Sequence, residues 1–281
     1  MPKFLTNLII NHKSLDLFYQ LPGLVRLQHA VAWLITQRYW YVYRELKRIL
    51  KKREGSCRVI DVGCASGEIL FPLSRRFPNC EYTGIDISDE ALKTCEIVAE
   101  HRDIKRIKFI KSTIQNFELE EYPDLVFSVS LLQLVPDREK AVTKLVSFLK
   151  PGAVLLIYVP VNYKRIIPGY QRLRSGWLKR SDYGFYHPDD RNLSEDRLRQ
   201  QLHQAGAVAV ESKYCYGTPG KIAYELISLG QLMTLRLNWL LAIPFALLYF
   251  SLTLLPAWLL MGIDMLYTHR SGNGLIMIVQ K

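Results

Sequence analysis

The chain has 281 residues, 49% of them hydrophobic and 22% charged, which excludes a disordered or collagen-like polypeptide and allows one large domain or two small ones. Thirty-seven Lys and Arg stand against 26 Asp and Glu, a formal charge of +11 that favours an anionic partner, either nucleic acid or a membrane surface. The five cysteines form no C-x-x-C pair, so neither a disulfide scaffold nor a zinc ribbon is expected, and they read as reduced thiols of an intracellular protein.

In chain order, the N-terminus lacks the apolar core and small-residue cleavage site of a signal peptide. Residues 1–55 read as a helical segment, with one long helix from Leu24 to Lys52 and a stop at Gly55. Its basic end, Lys47, Arg48, Lys51, Lys52 and Arg53, either complements the helix dipole in solvent or meets an anionic surface. From Cys57 the period changes. CRVIDV, EYTGIDI, IKRIKFI, YPDLVFSVS and AVLLIYVP read as strands. CASGEILFPLSRRF, SDEALKTCEIVAEH (opened by Ser88) and PDREKAVTKLVSFLK read as the helices that alternate with them. This alternation predicts an α/β fold of right-handed βαβ units around a parallel sheet.

Residues 161–193 show no clear period. A helix is expected from Ser194 to about Ala205, a sixth strand in AVAVESKYCY and a seventh in GNGLIMIVQK. Between the last two strands lies an insertion of about fifty-five residues, 217–271, too long to be a plain loop.

The sharpest local signal is Asp61-Val-Gly63-Cys64-Ala65-Ser-Gly67, after a strand and before a helix. Small residues there allow a tight turn and close approach of the backbone to a ligand at the carboxyl end of the sheet. The spacing is one residue shorter than the dinucleotide fingerprint G-x-G-x-x-G. Asp61 would repel a pyrophosphate but suits a ligand carrying an ammonium and a sulfonium. Asp86, at the end of the second strand, is placed to accept ribose hydroxyls.

With these residues the chain resembles the class I S-adenosylmethionine (SAM)-dependent methyltransferases. DVGCASGE resembles their first motif and EYTGIDIS their second. LVFSVSLLQLVPD resembles the stretch around their fourth strand, and FLKPGAVLLIYVP the passage into the fifth. The resemblance covers about residues 57–160 and the last strand. It implies a Rossmann-like, seven-stranded, mostly parallel sheet of order 3-2-1-4-5-7-6 with helices on both faces. The chain is read as three parts: 1–55, a SAM-binding domain of 56–216 plus 272–281, and the insertion 217–271. The site the resemblance implies holds SAM through Asp61, Gly63, Cys64, Ala65 and Gly67, with Asp86 on the ribose. Ile87 and Ile114 would pack on the adenine, Thr113 would stand where the family often carries an acid for the adenine amino group, and Ser130 and Gln133 would meet the methionine end. No metal is expected. Ala65 replaces the usual central glycine, which a negative φ would permit. Gln133-Leu134 replaces a common histidine pair.

Residues 161–193 interleave Tyr163, Tyr170, Trp177 and Tyr183 with Lys164, Arg165, Arg172 and Arg174. Such a mixture suits an acceptor pocket or lid, lipid headgroups, or stacked bases. His187, with Asp189 to orient it, and Tyr163 are the candidate catalytic residues, and a turn histidine is the alternative. From Asn238 to Ile263 no residue is charged. As one helix this stretch would reach about 39 Å, past a bilayer core of about 30 Å. Yet it leaves one strand of a sheet and returns to another, so a single crossing is incompatible with a seventh strand. Pro244 and Pro256 are expected to divide it into pieces of about twelve residues, the length of re-entrant or interfacial helices. An apolar cap over the site or an oligomer interface is the alternative. The resulting expectation is a SAM-dependent methyltransferase of a hydrophobic or amphipathic small molecule, cytoplasmic and associated with an anionic membrane surface. A non-catalytic scaffold of the same fold and an RNA methyltransferase are the rivals.

Overall fold

The computed structural model describes residues 22–53, 55–162, 164–176 and 193–281. In chain order the elements are α1 (Pro22–Ile35), α2 (Gln37–Leu50), β1 (Arg58–Val62), α3 (Leu70–Arg76), β2 (Glu81–Asp86), α4 (Asp89–His101), β3 (Ile107–Lys111) and β4 (Leu125–Val129). They continue with α5 (Arg138–Ser147), β5 (Val154–Pro160), α6 (Tyr170–Ser175), α7 (Glu195–Gln204), β6 (Ala209–Cys215), α8 (Thr218–Arg236), α9 (Trp239–Asp264) and β7 (Gly274–Gln280).

The seven strands form one sheet of order β3-β2-β1-β4-β5-β7-β6. β1 pairs in parallel with β2 and β4, β2 with β3, and β4 with β5, whereas β7 runs antiparallel to β5 over its whole length. The central strands read as near-continuous apolar runs because helices cover both faces of such a sheet. Leu125, Val126 and Phe127 of β4 and Leu155, Leu156 and Ile157 of β5 are fully buried. Helix starts follow local chemistry. Ser88 accepts the Ala91 N–H through its Oγ at 3.2 Å, and Asp137 accepts the Lys140 N–H at 3.1 Å.

The chain divides into two compact units. Among the described residues, the sheet unit holds 39–53, 55–161, 193–213 and 274–281, and the other unit holds 22–38, 162, 164–176 and 214–273. In the second unit α9 packs along α8 and touches α1. The base of this α8–α9 hairpin is closed by a bridge between Tyr214 and His269 and by the Asn273 N–H donating to Cys215 O at 3.0 Å. Gly230 lets the helices approach, since a Cβ there would lie 2.3 Å from the Tyr249 ring, and Tyr249 donates its hydroxyl to Leu226 O at 2.9 Å.

Four expectations change. The long N-terminal helix is two helices interrupted at Thr36, where buried Gln37 donates its amide to Met261 O at 3.1 Å and to Asp264 Oδ2 at 3.0 Å. The period-free stretch after β5 contains α6, held by the Tyr170 hydroxyl 2.6 Å from Ser228 Oγ. Pro244 and Pro256 do not divide the apolar stretch, because α9 is one helix of 26 residues. Both prolines are exposed, and α9 packs along α8 as one helix. Finally, the cysteines are not all free thiols: Cys57 and Cys80 form a disulfide, while Cys64, Cys95 and Cys215 are free and buried. The bridged pair lies 23 residues apart in sequence and meets only because β1 and β2 start side by side, with the Glu81 N–H donating to Cys57 O.

Candidate functional site: the glycine loop and the acid-lined strand ends

The loop between β1 and α3 is fastened to β2. The Gly63 and Cys64 N–H groups both donate to Ile85 O, at 2.8 and 3.0 Å, and the Gly67 N–H donates to Cys64 O at 2.9 Å. Asp86 completes the attachment by accepting the Ala65 N–H at 2.9 Å through Oδ2 and the Ser88 N–H at 3.0 Å through Oδ1. The first bond ties the glycine loop to β2 and the second fixes the Asp86 side chain in its own turn, and each oxygen keeps a further lone pair for a ligand hydroxyl.

The backbone is left-handed at Gly63, Ala65 and Gly67, with φ of 84°, 47° and 78°. The condition that would suit alanine, a negative φ, is not met: the pinned neighbours force a glycine-like conformation on Ala65. An L-residue in that region costs about 1–2 kcal/mol, partly offset by the lower unfolded-state entropy of alanine. Ala65→Gly is expected to raise stability by about 0.5–1 kcal/mol, read as a higher urea midpoint at unchanged slope. A second strained residue sits across from it. Ser130, just past β4, has φ 57° while its N–H donates to Tyr158 O at 2.9 Å. Backbone strain concentrated at adjacent strand ends marks a functional site.

The remaining positions converge on the same edge of the sheet. Ile87 is 68% exposed after β2, whereas Ile114 is buried after β3. Thr113 is exposed, and its Oγ1 accepts the Asn116 N–H at 3.2 Å, which leaves the hydroxyl hydrogen for another acceptor. Gln133 is buried, and its Oε1 and the Ser130 Oγ are buried without a hydrogen-bond partner. His187 and Tyr163 lie outside the described residues. Sequence reading passed over Glu68, although it stands in DVGCASGE; it is buried beside the loop.

Burial pushes the Asp61 carboxyl well above the usual carboxylate range, and the charges of Asp86 and Glu68 push it further in the same direction. This acid set fits a cation. A sulfonium and an ammonium brought into it would favour the ionised forms, the small loop residues leave room for an adenosyl group, and Ser130 and Gln133 offer unspent polar atoms. SAM binding is therefore expected to lower the Asp61 pKa and, across the pH range where Asp61 titrates, to release a proton, seen as a binding enthalpy that depends on the buffer's ionisation enthalpy. Asp61→Asn should abolish that dependence. The same raised value makes the ligand-free fold lose stability as pH rises from the unfolded pKa of about 3.9 through the folded value, because the folded state holds the proton longer. Asp61→Asn should flatten this decline as well.

Two other concavities lie toward the opposite ends of the strands. One, of about 320 Å³, is bordered by Arg58, Glu81, Lys108 and Glu121; the other, of about 640 Å³, by Arg48, Lys52, Arg53 and Glu211. Neither includes a residue of the glycine loop.

Residues 53–182 match the family described as "Methyltransferase domain". The match, the sheet order and the glycine loop are those of class I SAM-dependent methyltransferase domains, whose methyl donor is SAM. Among curated relatives, trans-aconitate 2-methyltransferase of Deinococcus radiodurans is 32% identical over 120 residues, 43% of this chain and 44% of the relative. The chain thus matches less than half the length of that relative. Phosphoethanolamine N-methyltransferase 2 of Haemonchus contortus, solved with SAM, superposes with a TM-score of 0.54 at 18% identity, over 85% of this chain and 52% of that one. The [4+2]-cyclase SpnF superposes with a TM-score of 0.54 at 17% identity, over 85% of this chain and 81% of that one. These likenesses describe the fold, and a cyclase among them shows that the fold alone does not fix the reaction.

Proposed function

We propose that the chain transfers the methyl group of SAM to a hydrophobic or amphipathic small molecule at a membrane surface. The observation that carries the reading is one chain combining the acid-lined glycine loop with a long exposed helix, α9, that is uncharged from Trp239 to Ile263. SAM supplies an activated methyl group, so the protein's task is alignment in a dry pocket. In this reading Asp86 holds the ribose, and Asp61 and Glu68 offset the cofactor's positive charge. Cys64 and Ala65 lie along the adenosyl group, Ile87 and Ile114 flank the adenine, Thr113 meets its amino group, and Ser130 and Gln133 meet the methionine end. His187 and Tyr163 are the proposed acceptor-side residues, with His187 as general base for an acidic O–H acceptor.

The proposed organisation is an N-terminal segment 1–55, a SAM-binding domain of 56–216 plus 272–281, and an insertion 217–271 through which the protein associates with an anionic leaflet on the cytoplasmic side. The charge of +11 supports that attachment. A second reading has an observation of its own. The same charge, and a relative named for trans-aconitate, favour a polar, acidic acceptor reached from solution.

The test uses SAM labelled on its methyl group, purified protein and total cell extract, with products partitioned between organic and aqueous phases. Enzyme-dependent label in the organic phase is expected. Label only in the aqueous phase would establish the acidic-acceptor reading instead, and absence of label in both would overturn methyl transfer.

A further inference from the structure

We infer that α9 lies in the plane of a single membrane leaflet, with its face opposite α8 among the acyl chains, and does not cross the bilayer. The inference rests on the membrane-surface reading above and adds the face, the orientation and the depth.

The helix has two unlike sides. Ala242, Ala257, Met261 and Asp264 are buried, recurring at helical spacing along the side that packs in its own unit. On the other side Leu240, Leu247, Leu248, Leu252, Leu255 and Leu259 are between 59% and 70% exposed. This outward row runs the length of the helix and far exceeds the scattered apolar residues of an ordinary soluble surface. Ser251 is its lone hydroxyl. A protein interface surrounds its apolar centre with a polar rim, and from Asn238 to Ile263 the helix contributes no charged residue to one.

The hairpin excludes a crossing. Its two ends pair with each other at Tyr214 and His269, so whatever leaves at β6 returns beside it. A return span would have to be α8, which carries Lys221, Glu225, Gln231 and Arg236. Glu225 is fully buried and is spent on the chain itself, accepting the Ile166 N–H at 3.0 Å and the Ile167 N–H at 2.7 Å.

Charge sets the orientation. No charged residue falls between Asn238 and Ile263, while exposed Arg236 and Arg270 flank the segment on its two sides. In a crossing helix one arginine would be left at the far surface or in the core. In a helix lying flat, both reach the headgroups of one anionic leaflet by snorkelling. The acid of the helix, Asp264, faces the protein, accepting from Gln37 at 3.0 Å with His269 Nε2 3.4 Å away.

The test places single cysteines at Leu240, Leu247, Leu255, Leu259 and Ile263 of the full chain, with Tyr122 of the sheet unit as an exposed control. Each carries an environment-sensitive fluorophore and is mixed with phosphatidylcholine–phosphatidylglycerol vesicles bearing nitroxide quenchers at shallow or deep acyl positions. The expected result is a blue shift at all five helix sites, quenching at one common shallow depth, and no change at Tyr122. Depth that changes steadily from Leu240 to Ile263 would overturn the in-plane orientation while leaving membrane attachment intact. Absence of any vesicle response would remove the membrane reading itself. A blue shift without vesicles that tracks a doubling of mass would assign the face to a second copy and overturn the inference. As an independent check, the double variant Leu248→Asp and Leu255→Asp should lose at least ten-fold in vesicle partition with its SAM affinity unchanged.

Discussion

Asp86→Ala is expected to weaken SAM binding by at least a hundred-fold, measured as Kd by calorimetry or equilibrium dialysis. Two losses combine. The proposed ribose contact consists of hydrogen bonds to a charged group, worth about 1.5–3 kcal/mol each. Together these alone exceed the roughly 2.7 kcal/mol that a hundred-fold change represents. The variant also frees the Ala65 and Ser88 N–H groups, which Asp86 accepts at 2.9 and 3.0 Å, so the loop that cradles the adenosyl group loosens. Asp86→Asn should be nearly as damaging. An amide has one acceptor oxygen, and its NH2 would point at whichever of the two backbone N–H groups the oxygen does not serve. If Asp86→Ala binds SAM as tightly as the parent, the site assignment is wrong.

Gly67→Ala is expected to cost about 3 kcal/mol or more in stability, from a left-handed backbone and overpacking together. The residue sits at φ 78°, and a Cβ there would lie 2.6 and 2.8 Å from the Phe71 ring and 3.3 Å from Cys95 Sγ. The ring has nowhere to go. Phe71 is buried, with the Arg102 guanidinium 5.4 Å from its centroid on one contact and the Phe109 ring 6.1 Å away on another. The check is denaturant unfolding beside Ala65→Gly, two residues away, for which the opposite sign is expected. A Gly67→Ala protein as stable as its parent would show that the loop is not held as described. The contrast separates two kinds of small residue in one motif: Gly67 is required by space and by φ, whereas Ala65 carries a φ that glycine would accept more easily.

Much of the fold was legible because its signals are local. Apolar runs of strand length alternating with amphipathic helices marked all seven strands, including the last, and Asp61-x-Gly63-x-Ala65-x-Gly67 marked the ligand loop because a tight turn must spell itself in small residues. Asp86 was legible for the same reason, as an acid at the end of the strand that follows. The class of the domain and its cofactor were contained in those residues, and the charge-free stretch from 238 to 263 announced an apolar helix whatever lay around it.

What the sequence left open depends on neighbours distant in the chain. The sign of φ at Ala65 is set by Ile85 O and Asp86 gripping the loop from β2, which no residue within the motif encodes. The Cys57–Cys80 bridge follows from the parallel start of β1 and β2. Asp61 reads in sequence as an ordinary carboxylate, yet burial, with Asp86 and Glu68 beside it, raises its pKa well above the usual range. The apolar stretch reads as two proline-ended pieces, yet packing along α8 makes it one helix and gives it an inside and an outside. Local chemistry determined which elements form and which ligand the loop suits. Tertiary packing decided which groups are buried together, and burial is what sets protonation, backbone strain and the face left for a partner.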